Sequence, residues 1–256
     1  QSELIEVTQV YSVAGLLSED RPLIAHRPFR SPHHSSSMAA LVGGSNPPRP
    51  GEISLAHNGV LFLDEFAELP RQAIEALRQP LEDRVITISR SGFSAEFPAH
   101  CLLIAAINPC PCGYKDDPNH TCSCPPQDII RYKKRLSGPI LDRIDLHIIV
   151  PAVPLSEIAR PANSESSAEV RKRVTAARSI QLQRYKALNI RTNNELSNKI
   201  IRKHCILGPE AEQLIARAAT TLKLSARGYH KVLKVARTIA DLDDKETISS
   251  LAIAEA

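Results

Sequence analysis

The chain has 256 residues, 43% of them hydrophobic, and a formal net charge of +4. That length allows one large domain or two modest ones with proper cores, and the mild basic excess permits a nucleic-acid partner without requiring one. No apolar run approaches the roughly 20 residues that span a bilayer, and no signal-peptide pattern opens the chain, so no membrane role is expected.

Residues 1–24 read as a helix and a loop, and residues 26–52 gather most of the turn formers around a short helix at Met38–Val42. Val60-Leu61-Phe62-Leu63 is then an apolar run suited to a strand buried on both faces of a parallel sheet. It ends in Asp64-Glu65. Carboxylates at that end of a strand lie at the ligand-binding edge of the sheet. This is the Walker B arrangement of P-loop ATPases, in which the Asp serves Mg²⁺ and the Glu orients or deprotonates the attacking water. No Gly-x-x-x-x-Gly-Lys-Ser/Thr occurs in the chain to cradle the phosphates. Taken alone, the acidic pair is equally suited to capping the next helix.

Residues 69–81 read as a helix with Pro80 near its end. Residues 85–97 alternate as a hairpin turning at Ser91-Gly92, and 101–107 form a second core strand ending at Asn108-Pro109. A polar amide at Asn108 can hold a water beside Glu65, although Asn before Pro is also ordinary turn chemistry. Cys110-Pro111-Cys112 and Cys122-Ser123-Cys124 follow within a Cys-rich loop at 109–125. In a protein expected to be cytoplasmic, two such pairs favour a closed, structural four-thiolate Zn²⁺ site over disulfides or free thiols. His120 is a possible substitute ligand. Cys101 and Cys205 read as packing residues.

The basic stretch Arg131-Tyr132-Lys133-Lys134-Arg135 leads to Leu141-Asp142-Arg143-Ile144-Asp145 and a third apolar run at 146–150. Arg143 is placed to reach a neighbouring subunit's phosphates or to pair locally with Asp142 or Asp145. The domain plan is therefore an α/β part at 1–150, a Pro-rich linker at 151–165 and an all-helical part at 166–256. Ser166 and Glu169 form a capping box for a helix reaching about residue 188. Further helices are expected from Pro209 to Leu222 and from Ala226 to Leu242, with Arg227 at the start of the latter. The chain begins on Gln1 and stops inside a helical pattern, so it is expected to be a piece of a longer protein.

Arg27-Pro28-Phe29-Arg30-Ser31-Pro32-His33-His34, the run from Pro50 to Glu65, and the run from Arg135 to Asp145 resemble the ComM/YifB group of magnesium-chelatase-like AAA+ ATPases. The likeness extends from about residue 10 to the C-terminus, without the N-terminal domain and P-loop of that family. The resemblance implies a partial AAA+ αβα core followed by a helical lid, and a hexameric ring that uses ATP and Mg²⁺. It implies Asp64 and Glu65 as Walker B, Asn108 as sensor 1, Arg143 as arginine finger and Arg227 as sensor 2. It also implies a helix-2 insert at 26–52, a presensor hairpin at 85–97, and DNA helicase activity in branch migration during natural transformation. Arg27, Arg30 and Arg49 in the insert and Arg90 at the hairpin tip could then follow a phosphate backbone. His33 and His34 read as loop histidines that hydrogen-bond the insert. Two other readings remain open: a chelatase-type motor for metal insertion into a tetrapyrrole, and a zinc-braced binding module without catalysis.

Overall fold

The computed structural model describes residues 2–256 apart from 21, 91–92, 116, 118–119, 137, 152, 154–164 and 189, and only the backbone of Arg90 and Phe93. The turn at Ser91-Gly92, the side chain of Arg90 and most of the expected linker at 151–165 thus lie outside the described residues. The chain divides into two compact units, Gln1–Ala152 and Val153–Ala256. The first is mixed α/β around a parallel sheet and the second is helical, consistent with the partial AAA+ core and helical subdomain that the resemblance implies.

In the first unit, α1 (Ser2–Ala14) is followed by β1 (Phe29–Arg30), α2 (Met38–Val42), β2 (Gly43–Gly44), β3 (Arg49–Pro50), α3 (Glu52–Leu55) and β4 (Val60–Leu63). Strand β4 lies between β1 and β7 (Leu102–Ala105), parallel to both, with Arg30 beside Leu61 and Leu63 beside Ala105. A close backbone approach guides the start of β4. The Val60 N–H donates to Pro28 O at 2.8 Å, and a Cβ on Gly59 would lie 2.0 Å from that oxygen. Only glycine fits there.

The sheet is covered on one face. Leu61 and Leu63 are buried against Leu41, Phe66, Ile74, Leu77 and Ile140. On the other face Phe29, Leu102 and Ile104 are 64%, 61% and 44% exposed, and Phe62 stacks on Phe29. The expectation of a strand buried on both sides is corrected accordingly: alternate residues of β4 face opposite ways, and the described residues cover only one of the two faces. Residues 146–150 form no strand, and Ile148, Ile149 and Val150 are 79%, 94% and 83% exposed.

The expected helix at 69–81 is two helices, α4 (Arg71–Ala76) and α5 (Arg78–Asp83), joined at Leu77. Pro80 accounts for the break, because it has no N–H for the Ala76 carbonyl and its ring crowds that oxygen. The hairpin pairs β5 (Val85–Arg90) with β6 (Phe93–Pro98), placing Ile86 opposite Phe97 and Ile88 opposite Ala95. Ile86, Ile88 and Phe97 are buried, as the alternation predicts. Helices α6 (Pro126–Lys134) and α7 (Gly138–Leu141) follow β7.

The second unit begins with α8 (Ser167–Arg184). The capping box is present, with the Ser166 N–H donating to Glu169 Oε2 at 2.8 Å and the Glu169 N–H to Ser166 Oγ at 3.3 Å. The helix stops at Tyr185, short of the expected end. Then come α9 (Ile201–His204), α10 (Pro209–Thr221), α11 (Ala226–Leu242) and α12 (Ser250–Glu255) around Tyr185, Ile201, Ile215, Leu233, Ala236 and Ile253.

A buried polar cluster crosses this core. Asp241 and Arg237 are 2% and 1% exposed. Arg184 donates to both Asp241 oxygens at 2.9 and 2.5 Å, Asn193 Nδ2 donates at 2.8 Å and Arg237 Nε at 3.1 Å. Arg237 also donates to the carbonyls of Glu246 (2.5 Å) and Lys245. Burial would raise the Asp241 carboxyl, but the hydrogen bonds from Arg184 and Asn193 and the charge of Arg237 hold it below the usual 3.8. Removing one partner of such a group leaves a buried charge uncompensated. Asp241→Ala is therefore expected to destabilise this unit by about 3–5 kcal/mol in urea denaturation. Because the folded-state value is depressed, this stabilisation is fully present above the usual aspartate range and is lost as pH falls through the lower folded value. A variant with wild-type stability and unchanged acid sensitivity would contradict this account.

Candidate functional site

The C-terminal ends of β4 and β7 bring Asp64, Glu65 and Asn108 to one edge of the sheet, because Leu63 and Ala105 are register partners. Asp64 is exposed and accepts the Glu65 N–H on Oδ1 at 2.9 Å. Glu65 adopts φ 49, ψ 41, in the left-handed region, which costs a non-glycine residue about 1 kcal/mol or more. The bend is fixed from behind by Phe66, whose N–H donates to Ala106 O at 2.9 Å and whose ring is fully buried. Asn108 is exposed at the same edge. The two carboxylates thus sit open to solvent where a hydrated cation and a water could be held, which is the donor set Mg²⁺ prefers.

Glu65 has a partner that no local spacing points to. His34 Nδ1 lies 2.6 Å from Glu65 Oε2. Strand pairing supplies the signal. Continuing the Arg30–Leu61 register past both strand ends brings residue 34 level with residue 65. The expectation that His34 bonds within the insert did not anticipate this contact.

Arg143 is engaged in its own unit. Its guanidinium donates to Pro139 O at 2.6 Å and to Glu82 Oε2, where the sequence pointed to Asp142 or Asp145 as a local partner. Arg27 pairs with Glu3 at 2.5 Å and donates to Asn58 O at 2.6 Å. Arg30 makes a two-pronged contact with Glu52 at 2.6 and 2.7 Å, which raises its pKa further. A polyanion would compete with carboxylates for both. Arg49 is exposed on β3. In the helical unit Arg227 is exposed in the first turn of α11, where Ser225 Oγ caps the helix by accepting the Gly228 N–H at 3.1 Å.

The loop after Asn108 folds its cysteines together. The Sγ atoms of Cys110, Cys112, Cys122 and Cys124 all lie within 4.8 Å of one another. Cys110 is 3.4 Å from Cys112 and 3.7 Å from Cys122, and Cys112 is 3.7 Å from Cys122. Four thiolates at about 2.3 Å from a tetrahedral Zn²⁺ would be roughly 3.8 Å apart, so the cluster is dimensioned for such an ion. The Tyr114 N–H draws the Cys112 thiol down to about 6, while sharing with Cys112 pushes Cys124 up to about 12. One thiolate is therefore already favoured. His120 lies outside the cluster and pairs with Asp117 at 3.3 Å. Cys101 and Cys205 are packed among apolar side chains, and burial pushes both thiols up to about 11.

Helix α6 ties this loop to the sheet edge. Tyr132 is buried, and burial raises its phenol, with the charges of Glu68 and Glu65 adding and Arg135 opposing. Arg135 reaches Glu68 at 3.2 Å, and Arg131 pairs with Asp128 at 3.3 Å. Lys133 and Lys134 face solvent.

Comparison with known proteins adds an independent line. Residues 1–158 match the family described as magnesium chelatase, subunit ChlI, and residues 164–256 match its C-terminal family. Competence protein ComM of Haemophilus influenzae is 48% identical over 257 residues, covering 98% of this chain and 49% of that protein. The uncharacterized protein YifB of Salmonella typhimurium is 46% identical over 231 residues, covering 90% of this chain and 44% of that protein. A shorter likeness, 34% over 100 residues, links 39% of the chain to 10% of the DNA replication licensing factor Mcm2 of Drosophila melanogaster. The chain spans about half the length of the curated relatives it matches. Among the described residues no helix is long and apolar enough to cross a membrane.

Proposed function

Since the chain belongs to the magnesium chelatase ChlI family of AAA+ proteins, we propose that it is part of a cytoplasmic, ring-forming ATPase that couples ATP hydrolysis to DNA remodelling, as a branch-migration helicase of natural transformation. The observation that carries the reading is the convergence of Asp64, Glu65 and Asn108 at one edge of a parallel sheet. Likeness to a competence protein, and over a shorter stretch to a replication licensing factor, supports DNA as the substrate.

Mg²⁺-ATP, when bound, supplies the phosphoryl group whose transfer to water drives the motor. Asp64 offers its carboxylate to the metal. Glu65 orients the water and accepts its proton. Asn108 holds that water from the neighbouring strand. Arg143 serves the adjacent subunit's nucleotide after exchanging Glu82 for phosphate, across a heterologous contact that closes a ring. Arg227 approaches the nucleotide from the lid. The 256 residues hold no Gly-x-x-x-x-Gly-Lys-Ser/Thr, so the reading needs a phosphate-binding loop supplied from outside them; Arg49 and Arg90 are candidates to track the DNA backbone.

The cysteine cluster is read as a structural Zn²⁺ site. It directly follows Asn108 and leads into α6, so the ion would brace the loop that leaves β7. The family's description also keeps open a motor for metal insertion into a tetrapyrrole.

DNA is expected to stimulate ATP hydrolysis by the full-length protein, and Glu65→Gln to lower kcat at least about 100-fold while nucleotide binding persists. Stimulation only by a tetrapyrrole-binding partner would overturn the helicase reading. Elemental analysis is expected to find about one zinc per chain, lost in a Cys112→Ser/Cys122→Ser variant. A folded, freshly purified wild-type protein without metal would rule the zinc site out.

A further inference from the structure

We propose that the exposed N-terminal turns of α8, in the helical unit, are a contact surface for the phosphate backbone of duplex DNA. The inference rests on DNA as the partner in the reading above, and adds a surface outside the unit that holds Arg49 and Arg90. The net charge of +4 is unevenly divided. Residues 153–256 hold 18 of the 32 Lys and Arg but 11 of the 28 Asp and Glu, so they carry +7, while residues 1–152 carry −3. Such asymmetry between halves favours a polyanionic partner for the basic one. The excess is densest along α8: seven Lys and Arg lie between Glu169 and Glu195, with no carboxylate among them.

Packing leaves these turns bare. Residues 167–176 are all exposed, and the helix enters its core only at Ala177 and Gln181. A stretch that short is marginal as a helix in water by itself, so it depends on being held at both ends. The capping box at Ser166 fixes its start, and Arg184 is bound by Asp241 near its finish. With 3.6 residues per turn, Arg171 and Arg178 share a face, about 10 Å apart along the axis. Lys172 stands on the adjoining face, and Arg173 lies opposite, paired with Glu165.

The side chains discriminate among polyanions. Three of these four cations are arginines, whose planar donors take phosphate oxygens two at a time. Helix α8 has no aromatic residue on which a base could stack, so it suits the backbone of a duplex better than an unpaired strand. The large apolar residues of its bare turns are Val170 and Val174, 38% and 48% exposed. An interfacial membrane helix needs a broader face with Trp, Phe or Leu.

Fluorescence anisotropy of the full-length protein on a labelled duplex, without nucleotide, tests the surface. Arg171→Glu/Lys172→Glu/Arg178→Glu is expected to weaken binding at least about 10-fold at about 0.1 M salt, whatever the duplex sequence. The slope of log K against log salt should fall in magnitude by about 3, one per lost phosphate contact. Urea denaturation checks that the variant folds; if it does not, Arg171→Gln/Lys172→Gln/Arg178→Gln should give the same change of slope. Lys199→Glu/Arg217→Glu/Lys223→Glu places an equal charge change on exposed positions elsewhere in the helical unit, and should stay within about 2-fold of wild type because salt screens distant charges. A folded α8 variant with wild-type affinity and slope overturns the assignment, as does a control weakened as much as the α8 variant. So does a wild-type protein that binds vesicles of phosphatidylserine and phosphatidylcholine more tightly than the duplex. A wild-type protein that binds no DNA sinks the DNA reading itself, whereas α8 variants that bind DNA as wild type does leave that reading standing and remove only this surface.

Discussion

Everything in the N-terminal unit depends on β4 being hydrogen-bonded along both edges. Val60 donates to Pro28 on one side, and on the other Leu102 donates to Gly59 O and Ala106 to Leu63 O, each at 2.9 Å. The strand can neither slide nor rotate without breaking both ladders, and a one-residue slip would turn Leu61 and Leu63 out of the core. The requirement for glycine at position 59 comes from the same constraint. Once β4 is fixed, so are the points from which Asp64 and Glu65 leave it, and the parallel registers place His34 and Asn108 beside them.

The two units handle charge in opposite ways. At the sheet edge, carboxylates remain exposed, where a metal ion and water can reach them. In the helical unit, Asp241 is fully enclosed but satisfied by two arginines and an asparagine, an arrangement that fixes α8 and α11 in one register. Several arginines that read as free to meet phosphate are instead held by Glu3, Glu52 and Glu82. Such pairs tether loops to the scaffold, and they set a competition that any anionic ligand must win.

The uncovered sheet face has the composition of a buried one. Phe29, Leu102 and Ile104 on the sheet, and Ile148, Ile149 and Val150 beyond it, are large apolar side chains left in solvent. Apolar area of that extent is costly to hydrate. In relatives about twice as long, more chain is available to cover it.

Much of the fold and half of the candidate site were legible in residue order. The alternation of Ile86, Ile88, Ala95 and Phe97 determined the hairpin and its inward face. Ser166 and Glu169 determined a helix start, Pro209 another, and the two Cys-x-Cys pairs a four-cysteine cluster. The apolar strand ending in Asp64-Glu65 located the acidic edge. Such signals act over a few residues, through backbone periodicity, capping and turn chemistry, so sequence carries them intact. Which face of the sheet is covered, the pairing of Arg143 with Glu82, the enclosure of Asp241 and the contact of His34 with Glu65 were decided by tertiary structure. Most of these join segments distant in sequence, and strand register and helix packing set their distances. Only folding brings those partners within reach.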